Sequence, residues 1–220
     1  MPVFRNEGQL FENSRLDAIK ESPEWNEDRV DDVRRQLEEL LEKREPEIEA
    51  GMDELGTQYY WVSAVLRALG YTFSVAELAP DSDARPDFTL FYNADDFRQA
   101  VRRRSEREFF AQSLGVLRCY PWTLDLDKIE LEEGPGDPGF EVDRLIRATS
   151  VNWGILTNGR TWRLYHRESS GLMSSYFEID LLEALQTADP DAFRYFWVVF
   201  SPEGLGGYEN EDPITLRMLN

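Results

Sequence analysis

The stretch from Val151 to Tyr165 most constrains the fold of this 220-residue chain. Two apolar runs, VNWGILT and RTWRLY, flank the dipeptide Asn158-Gly159. Asparagine and glycine tolerate the positive φ angles of a tight type I′ turn better than other residues do. The pattern therefore predicts a β-hairpin that turns at Asn158 and Gly159.

Helical and strand patterns alternate along the rest of the chain. Apolar residues recur at helical spacing in residues 26–48 and 52–69, and Pro46 is expected to end or kink the first of these helices. The second helix is expected to bury a stripe formed by Leu55, Tyr59, Val62, Val65, Leu66 and Leu69. Further helices are predicted at 94–113, 140–148, 181–187 and 190–200, and strands at 71–76, 87–92, 115–120 and 173–179. This order predicts an α/β fold in which helices flank a central mixed sheet.

The ends of the chain carry weaker patterns than its middle. Residues 1–25 show little periodicity, so residues 1–50 are expected to form an N-terminal arm and helix. Residues 51–201 are expected to form the α/β domain. Residues 202–220 include several glycines and are expected to be a loose tail.

Composition limits the class of protein. The chain has no apolar run near the roughly 20 residues that span a bilayer and no signal-peptide core at its start, so no membrane partner is expected. Cys119 is its one cysteine, which excludes an internal disulfide and a four-cysteine zinc site. These features predict a cytoplasmic protein.

The charge balance is strongly acidic. Asp and Glu number 43 against 24 Lys and Arg, which gives a net charge of -19. Such a surface repels polyanions at low salt. Two interpretations remain open, an ordinary acidic protein or a halophilic protein whose carboxylates keep its surface hydrated at high salt. A mimic of DNA is disfavoured, because the acidic residues are spread along the chain.

The hairpin segment WGILTNGRTWRLY resembles part of the N-terminal nuclease-type domain of type IIG restriction-modification proteins and related phage-defence proteins. The resemblance covers roughly residues 50–200 and implies the restriction-endonuclease-like fold of the PD-(D/E)XK superfamily. In that superfamily an Asp and a Glu on neighbouring strands hold Mg²⁺, and a Lys two residues beyond the Glu orients the attacking water. On this resemblance, Asp87 in the stretch RPDFTLF is the expected metal ligand, and Glu54 lies where an acid of the first helix would assist.

The chain departs from the superfamily pattern at the other catalytic positions. Relatives read roughly VVEAKRWDRPLD where this chain reads VLRCYPWTLDLD, so Arg118 takes the place of the Glu and Tyr120 that of the Lys. On a later helix Glu141 stands where Gln is expected, and Leu145 where Tyr is expected. None of the three lysines has an acid two residues before it. Arg118 is therefore expected to pair with Asp87 and to disfavour a bound cation.

A cluster of arginines is the strongest basic feature of the chain. On one continuous helix Arg103 and Arg107 would share a face. Solvated ion pairs with Glu106 and Glu108 are one interpretation, and contact with the DNA backbone is the other, since arginine suits phosphate. The cluster comprises Arg98, Arg102, Arg103, Arg104 and Arg107.

Three functional hypotheses follow. The first is a catalytically degenerate restriction-endonuclease-like domain that needs no cofactor. It would belong to a restriction-modification or phage-defence system, in which it would bind double-stranded DNA or act as a scaffold. The second is an active Mg²⁺-dependent endonuclease in which Asp87, Glu54 and a migrated acid, Asp125 or Asp127, hold the metal. The third is a protein-binding partner of a DNA methyltransferase or another defence subunit. The chain itself contains no Asn-Pro-Pro-aromatic methylation motif.

Overall fold

A seven-stranded mixed sheet organises the described part of the chain. The structure is a computed structural model, and it describes residues 4–127, 138–172, 174–207 and 212–220. The strands are β1 (Phe4–Glu7), β2 (Thr72–Val75), β3 (Phe88–Phe91), β4 (Gly115–Cys119), β5 (Trp153–Thr157), β6 (Thr161–His166) and β7 (Tyr176–Asp180). They lie in the order β1-β7-β6-β5-β4-β3-β2, and β4 and β5 are parallel while the other neighbours are antiparallel.

Helices cover both faces of this sheet. Local capping signals set several of their ends: the Asn93 side chain accepts hydrogen bonds from the first turn of α5, and Gly70 ends α4 in the left-handed conformation. The helices are α1 (Asn13–Ala18), α2 (Arg29–Glu49), α3 (Glu54–Gly56), α4 (Ser63–Leu69), α5 (Ala94–Arg103), α6 (Pro138–Thr149), α7 (Leu181–Gln186), α8 (Pro190–Phe200), α9 (Pro202–Gly206) and α10 (Ile214–Met218). The predicted α/β class with a central mixed sheet is confirmed.

Alternation along the strands divides the core into two clusters. Leu117 and Cys119 of β4 belong to the larger cluster, together with residues of α2, α4 and α8. Val116 belongs to the smaller cluster, which includes residues of α5 and α6. Successive side chains of a strand point to opposite faces. Arg118 therefore lies on the face that α6 covers.

The described residues near both ends of the chain pack into the domain, so the predicted arm and loose tail are wrong. β1 pairs with β7 at one edge of the sheet, and Phe11 is fully buried. Leu10, Leu16, Ile19 and Trp25 are buried as well. At the other end α10 contributes buried Ile214 and Met218, and Leu219 bridges to Phe11. These apolar residues are too few and too irregularly spaced to show a periodic pattern, but burial against an existing core stabilises them.

The helix that contains Pro46 continues beyond it. We predicted an end or a kink there, but α2 runs to Glu49. Pro46 lies in the last turn, where the backbone N–H of Ala50 donates to its carbonyl at 3.1 Å. A proline so close to the end disturbs only the final turn of the helix.

A π-helical turn at Thr57–Val62 joins α3 to α4 and changes which residues are buried. Trp61 and Val62 are fully buried, and so are Val65, Leu66 and Leu69. Leu55 and Tyr59 are instead 73% and 74% exposed, so the prediction of a buried stripe is wrong for its first two residues. A π-turn adds a residue to one helical turn and rotates everything before it around the helix axis.

The helix predicted at 94–113 ends at Arg103. Two 3-10 turns follow, at Arg104–Glu106 and Phe109–Gln112, and Arg107 between them has a φ of 63°. Burial of Phe109 and Phe110 in the smaller core fixes this break in the helix. The other predicted helices and strands are confirmed with bounds that differ by a few residues, except that Met173 lies outside the described residues.

The predicted hairpin is present, but its turn is not of type I′. Gly159 has a φ of 88°, whereas Asn158 keeps a negative φ, and a type I′ turn needs both to be positive. The Asn158 side-chain oxygen instead accepts hydrogen bonds from the N–H groups of Arg160 at 3.1 Å and Thr161 at 2.7 Å. Asparagine therefore closes this turn through its side chain.

The hairpin turn is buried and joins several elements. The Gly159 carbonyl accepts hydrogen bonds from two indoles, Trp61 Nε1 at 2.8 Å and Trp162 Nε1 at 3.0 Å. The side-chain amide of Asn158 donates to the Leu124 carbonyl at 2.7 Å. A Cβ atom at Gly159 would lie 2.8 Å from the Trp122 ring. The turn thus connects the π-turn, the hairpin and the loop after β4.

We expect Gly159→Ala to lower the free energy of unfolding by about 3 kcal/mol, because it adds a left-handed non-glycine residue and a clash with Trp122. Urea denaturation of both proteins measures the difference. Gly171→Ala is the matched control, since its Cβ would meet only the end of the Arg147 side chain at 3.4 Å. A loss at Gly159 no larger than that of the control would contradict the role assigned to the turn.

Candidate functional site

Asp87 lies immediately before β3, with its carboxylate directed at the neighbouring strand β4. Its backbone N–H donates to the Leu117 carbonyl at 3.0 Å. The carboxylate accepts hydrogen bonds from Arg118 Nη1 at 3.0 and 3.1 Å and from the Cys119 N–H at 2.7 Å. Only 13% of the side chain is exposed. Asp87 is therefore held by charge-assisted hydrogen bonds that leave little of it open to solvent.

Arg118 joins the two acids that the sequence analysis assigned to a metal site. Its Nη1 atom lies 3.0 Å from Asp87 and 3.5 Å from Glu54 Oε1, at the start of α3. The centre of the guanidinium lies 5.3 Å from the ring centroid of Tyr120. The structure thus brings Asp87, Glu54, Arg118 and Tyr120 together, and the ion pair expected between Arg118 and Asp87 is present.

Burial and charge act against each other in this cluster. Burial raises the pKa of the Asp87 carboxyl, although Arg118 and the Cys119 N–H oppose the rise. Burial lowers the pKa of Arg118, but Asp87 and Glu54 outweigh it and the net pKa is raised. Burial also raises the pKa of the Cys119 thiol well above its usual value, so this cysteine is not a nucleophile at neutral pH.

The cluster does not fit the Mg²⁺ that the family resemblance implies. A guanidinium lies against both Asp87 and Glu54, where a divalent cation would need their lone pairs. Within the described residues, no group of three or more His, Cys, Asp or Glu side chains could hold a metal ion. No catalytic step through a metal can be derived from this arrangement.

The remaining predicted catalytic positions lie near this cluster without completing it. Tyr120 is 7% exposed. The pKa of its hydroxyl is raised mainly by this burial, and the nearby charge of Glu141 adds to the rise. Glu141 itself lies on α6 and is 3.7 Å from Arg144. A buried, neutral tyrosine does not replace the charge of a lysine.

A second buried charged cluster was missed by the sequence analysis. Arg163 of β6 is 4% exposed at its side chain and pairs with both Glu178 of β7 and Asp127. Arg5 of β1 reaches the same two acids, at 2.5 Å from Glu178 and 3.1 Å from Asp127. The cluster borders a cleft of about 560 Å³ beside the hairpin turn. The strand alternation, which places Arg163 on the face of Tyr165, is the signal that could have revealed it.

Asp125 and Asp127, the two acids considered as migrated metal ligands, lie at this second cluster. Asp127 pairs with Arg163 and Arg5, and Asp125 accepts a hydrogen bond from the Asp127 N–H at 3.0 Å. The structure therefore places Asp127 with Arg163 and Arg5.

The arginine cluster is dispersed and largely paired with acids. Arg103 pairs with Glu108, Arg104 makes a two-pronged contact with Glu77 at 2.8 Å, and Arg107 lies 2.6 Å from Asp81. Arg98 pairs with Asp95, and Arg102 is exposed on the last turn of α5. The prediction that Arg103 and Arg107 share a helix face is wrong, because the helix ends between them. The side chain of Glu106 lies outside the described part of the chain.

Comparisons of this chain with protein-family models, with curated proteins and with solved structures returned no match. The resemblance carried by WGILTNGRTWRLY therefore stays a prediction, and the functional argument depends on the geometry of the site. Across the described residues, no helix has the length and apolar character needed to cross a bilayer.

We expect Arg118→Ala to lower the free energy of unfolding at neutral pH by about 3 kcal/mol, because it leaves the buried Asp87 carboxylate without its cation. The variant raises the already raised pKa of Asp87 further above its unfolded value. A carboxyl whose pKa is higher in the folded protein than in the unfolded one favours folding when the pH is below its unfolded-state pKa. That contribution is lost as the pH rises through its folded-state pKa. The deficit should therefore shrink as the pH falls towards about 4.

Urea denaturation at several pH values measures this deficit. The matched control is the double variant Arg118→Ala with Asp87→Ala, which removes both charges and should recover part of the loss. A deficit that does not change with pH would mean that loss of packing, and not the uncompensated charge of buried Asp87, explains the effect of Arg118→Ala.

Proposed function

We propose that this chain is a catalytically inactive, restriction-endonuclease-like domain that serves as a scaffold in a restriction-modification or phage-defence system. The observation that carries the proposal is the position of Arg118, whose guanidinium lies against both Asp87 and Glu54. A cation that is part of the chain therefore stands permanently between these two acids and offsets one of their two negative charges. Unlike Mg²⁺, a guanidinium offers no open coordination position at which water could be activated.

The charge distribution favours a scaffold over a DNA-binding domain. Arg98, Arg103, Arg104 and Arg107 each contact a carboxylate, so phosphate contacts would have to break existing ion pairs. The net charge of -19 adds long-range repulsion between this chain and a duplex. A second protein of the same defence system, such as a methyltransferase subunit, is the partner that fits this surface better.

We expect supercoiled plasmid to stay uncut by the native chain and by Asp87→Ala, with Mg²⁺ or Mn²⁺ and at low and molar salt, because Arg118 pairs with the Asp87 and Glu54 carboxylates that would hold the metal. Agarose gels measure the cleavage, and circular dichroism confirms that both proteins are folded. Cleavage by the native chain that disappears in Asp87→Ala would overturn the proposal in favour of an active Mg²⁺-dependent endonuclease.

We expect Arg118→Glu to gain a response to divalent cations that the native chain lacks. The substitution removes the guanidinium and places a third carboxylate beside Asp87 and Glu54, which is a ligand set suited to Mn²⁺ or Mg²⁺. Excess Mn²⁺ should raise the melting temperature of this variant by about 3 °C or more.

Thermal unfolding with and without Mn²⁺ measures this response. Arg118→Gln is the matched control, because it removes the same positive charge without adding a carboxylate. An equal response in the native chain would show that Arg118 does not exclude the cation, and would count against the inactive state.

A further inference from the structure

Three large apolar side chains lie exposed on the π-turn helix next to the Arg118 cluster. Leu55 is 73% exposed, Tyr59 74% and Tyr60 40%. The rings of Tyr59 and Tyr60 are in edge-to-face contact, with centroids 5.1 Å apart. We call Leu55, Tyr59 and Tyr60 the Tyr59 patch. Contiguous exposed apolar groups of this kind mark interaction sites more often than isolated ones do.

The π-turn itself creates this patch. In an uninterrupted helix Leu55 and Tyr59 would continue the buried stripe of Val62, Leu66 and Leu69, since these residues are spaced by four and three. The π-turn at Thr57–Val62 directs Trp61 into the core and leaves Leu55 and Tyr59 facing solvent. π-turns inside helices are rare and occur frequently at functional sites. The fold thus exposes residues that a regular helix would have buried.

Acidic side chains border the Tyr59 patch. Arg44 lies over the Tyr60 ring, 4.9 Å from its centroid, and its charge is engaged by Glu47 at 2.9 Å. Next to Leu55 in the chain, Asp53 is exposed at the start of α3, and the side chain of the neighbouring Glu54 is 38% exposed. The patch therefore combines apolar anchor groups with an acidic border on the side of Leu55. Such a surface is complementary to a basic one.

We propose that the Tyr59 patch is the docking surface for a basic protein segment that carries apolar side chains, such as an amphipathic helix with lysine or arginine beside leucine. This inference rests on the scaffold function proposed above and names the kind of partner that the scaffold holds. The basic residues of the partner contact Asp53 and Glu54. Its apolar residues cover Leu55 and Tyr59.

Charge complementarity separates this occupant from the other possible ones. A second copy of the chain would bring a further net charge of -19 against an acidic border, and duplex DNA would bring phosphates against the same acids. A basic protein segment gains from the acids during approach and from the apolar groups once docked.

The test uses the full chain and synthetic peptides as probes. The first peptide, of about 18 residues, is an amphipathic leucine-lysine helix. The second has glutamate in place of every lysine, and the third has serine in place of every leucine. Fluorescence anisotropy of each labelled peptide is measured against the native chain and two double variants, at about 0.1 and 1 M NaCl.

The two double variants differ in which exposed apolar residues they remove. Leu55→Ser with Tyr59→Ser removes the patch, whereas Val75→Ser with Leu78→Ser removes side chains that are 59% and 51% exposed elsewhere. We expect the leucine-lysine peptide to bind the native chain and the control variant equally, and to lose at least about tenfold in affinity for the patch variant. We expect the other two peptides to bind weakly to all three proteins.

Several results would overturn the proposal. Equal binding of the leucine-lysine peptide to both double variants, or no binding to the native chain, would remove the patch as the docking surface. Self-association in light scattering, or duplex binding, that disappears in the patch variant would assign the surface to a second copy or to DNA. Because the plasmid assay tests inactivity separately, an uncut plasmid with failed peptide binding would refute this docking surface alone.

Discussion

The carbonyl of Gly159 is the point on which the surrounding structure depends, because two buried indoles share it. Trp162 comes from the hairpin and Trp61 from the π-turn, so this one acceptor fixes the helix relative to the sheet. Leaving either indole N–H unpaired in the core would cost the desolvation of that group. The backbone N–H of Trp122 donates to the Met52 carbonyl and to the Thr57 hydroxyl, each at 3.1 Å. These hydrogen bonds join the loop after β4 to the same helix. The positive φ of Gly159 and the Trp122 ring, which lies 2.8 Å from the position of a Cβ atom, explain why the turn residue must be a glycine.

The position of Trp61 has two consequences for the surface. The π-turn that directs it inward also turns Leu55 and Tyr59 outward, and Glu54 directly before them lies within 3.5 Å of Arg118. Glu54 therefore places the Arg118 cluster next to the exposed apolar patch. In the proposed scaffold, Arg118 lowers the repulsion between Asp87 and Glu54, and the patch supplies the contact with a partner. Loss of catalysis and gain of a docking surface would then arise from adjacent residues.

The sequence predicted the centre of the fold better than its ends. Strong alternation and turn chemistry identified the hairpin, and the step from Arg85-Pro86 to Asp87 identified the strand that begins at Phe88. The pairing of Arg118 with Asp87 was expected because the family resemblance placed Arg118 beside Asp87 and the two side chains carry opposite charges. The ends were misassigned because Phe11 and Ile214 are isolated apolar residues whose burial depends on distant elements. The charged cluster around Arg163 was missed for a similar reason, since its partners Arg5, Asp127 and Glu178 are far apart in the chain.

By itself, the sequence determined the α/β class, the hairpin, and the absence of any lysine that has an Asp or Glu two residues before it. These properties depend on local periodicity and residue type, which are visible in any short window of the chain. The tertiary structure alone decided the π-turn, the end of the arginine-rich helix at Arg103 and the exposure of Tyr59. Each of these results from competition between helical propensity and the packing of large aromatic side chains. That competition is settled by contacts between residues such as Trp61 and Gly159, which lie 98 positions apart.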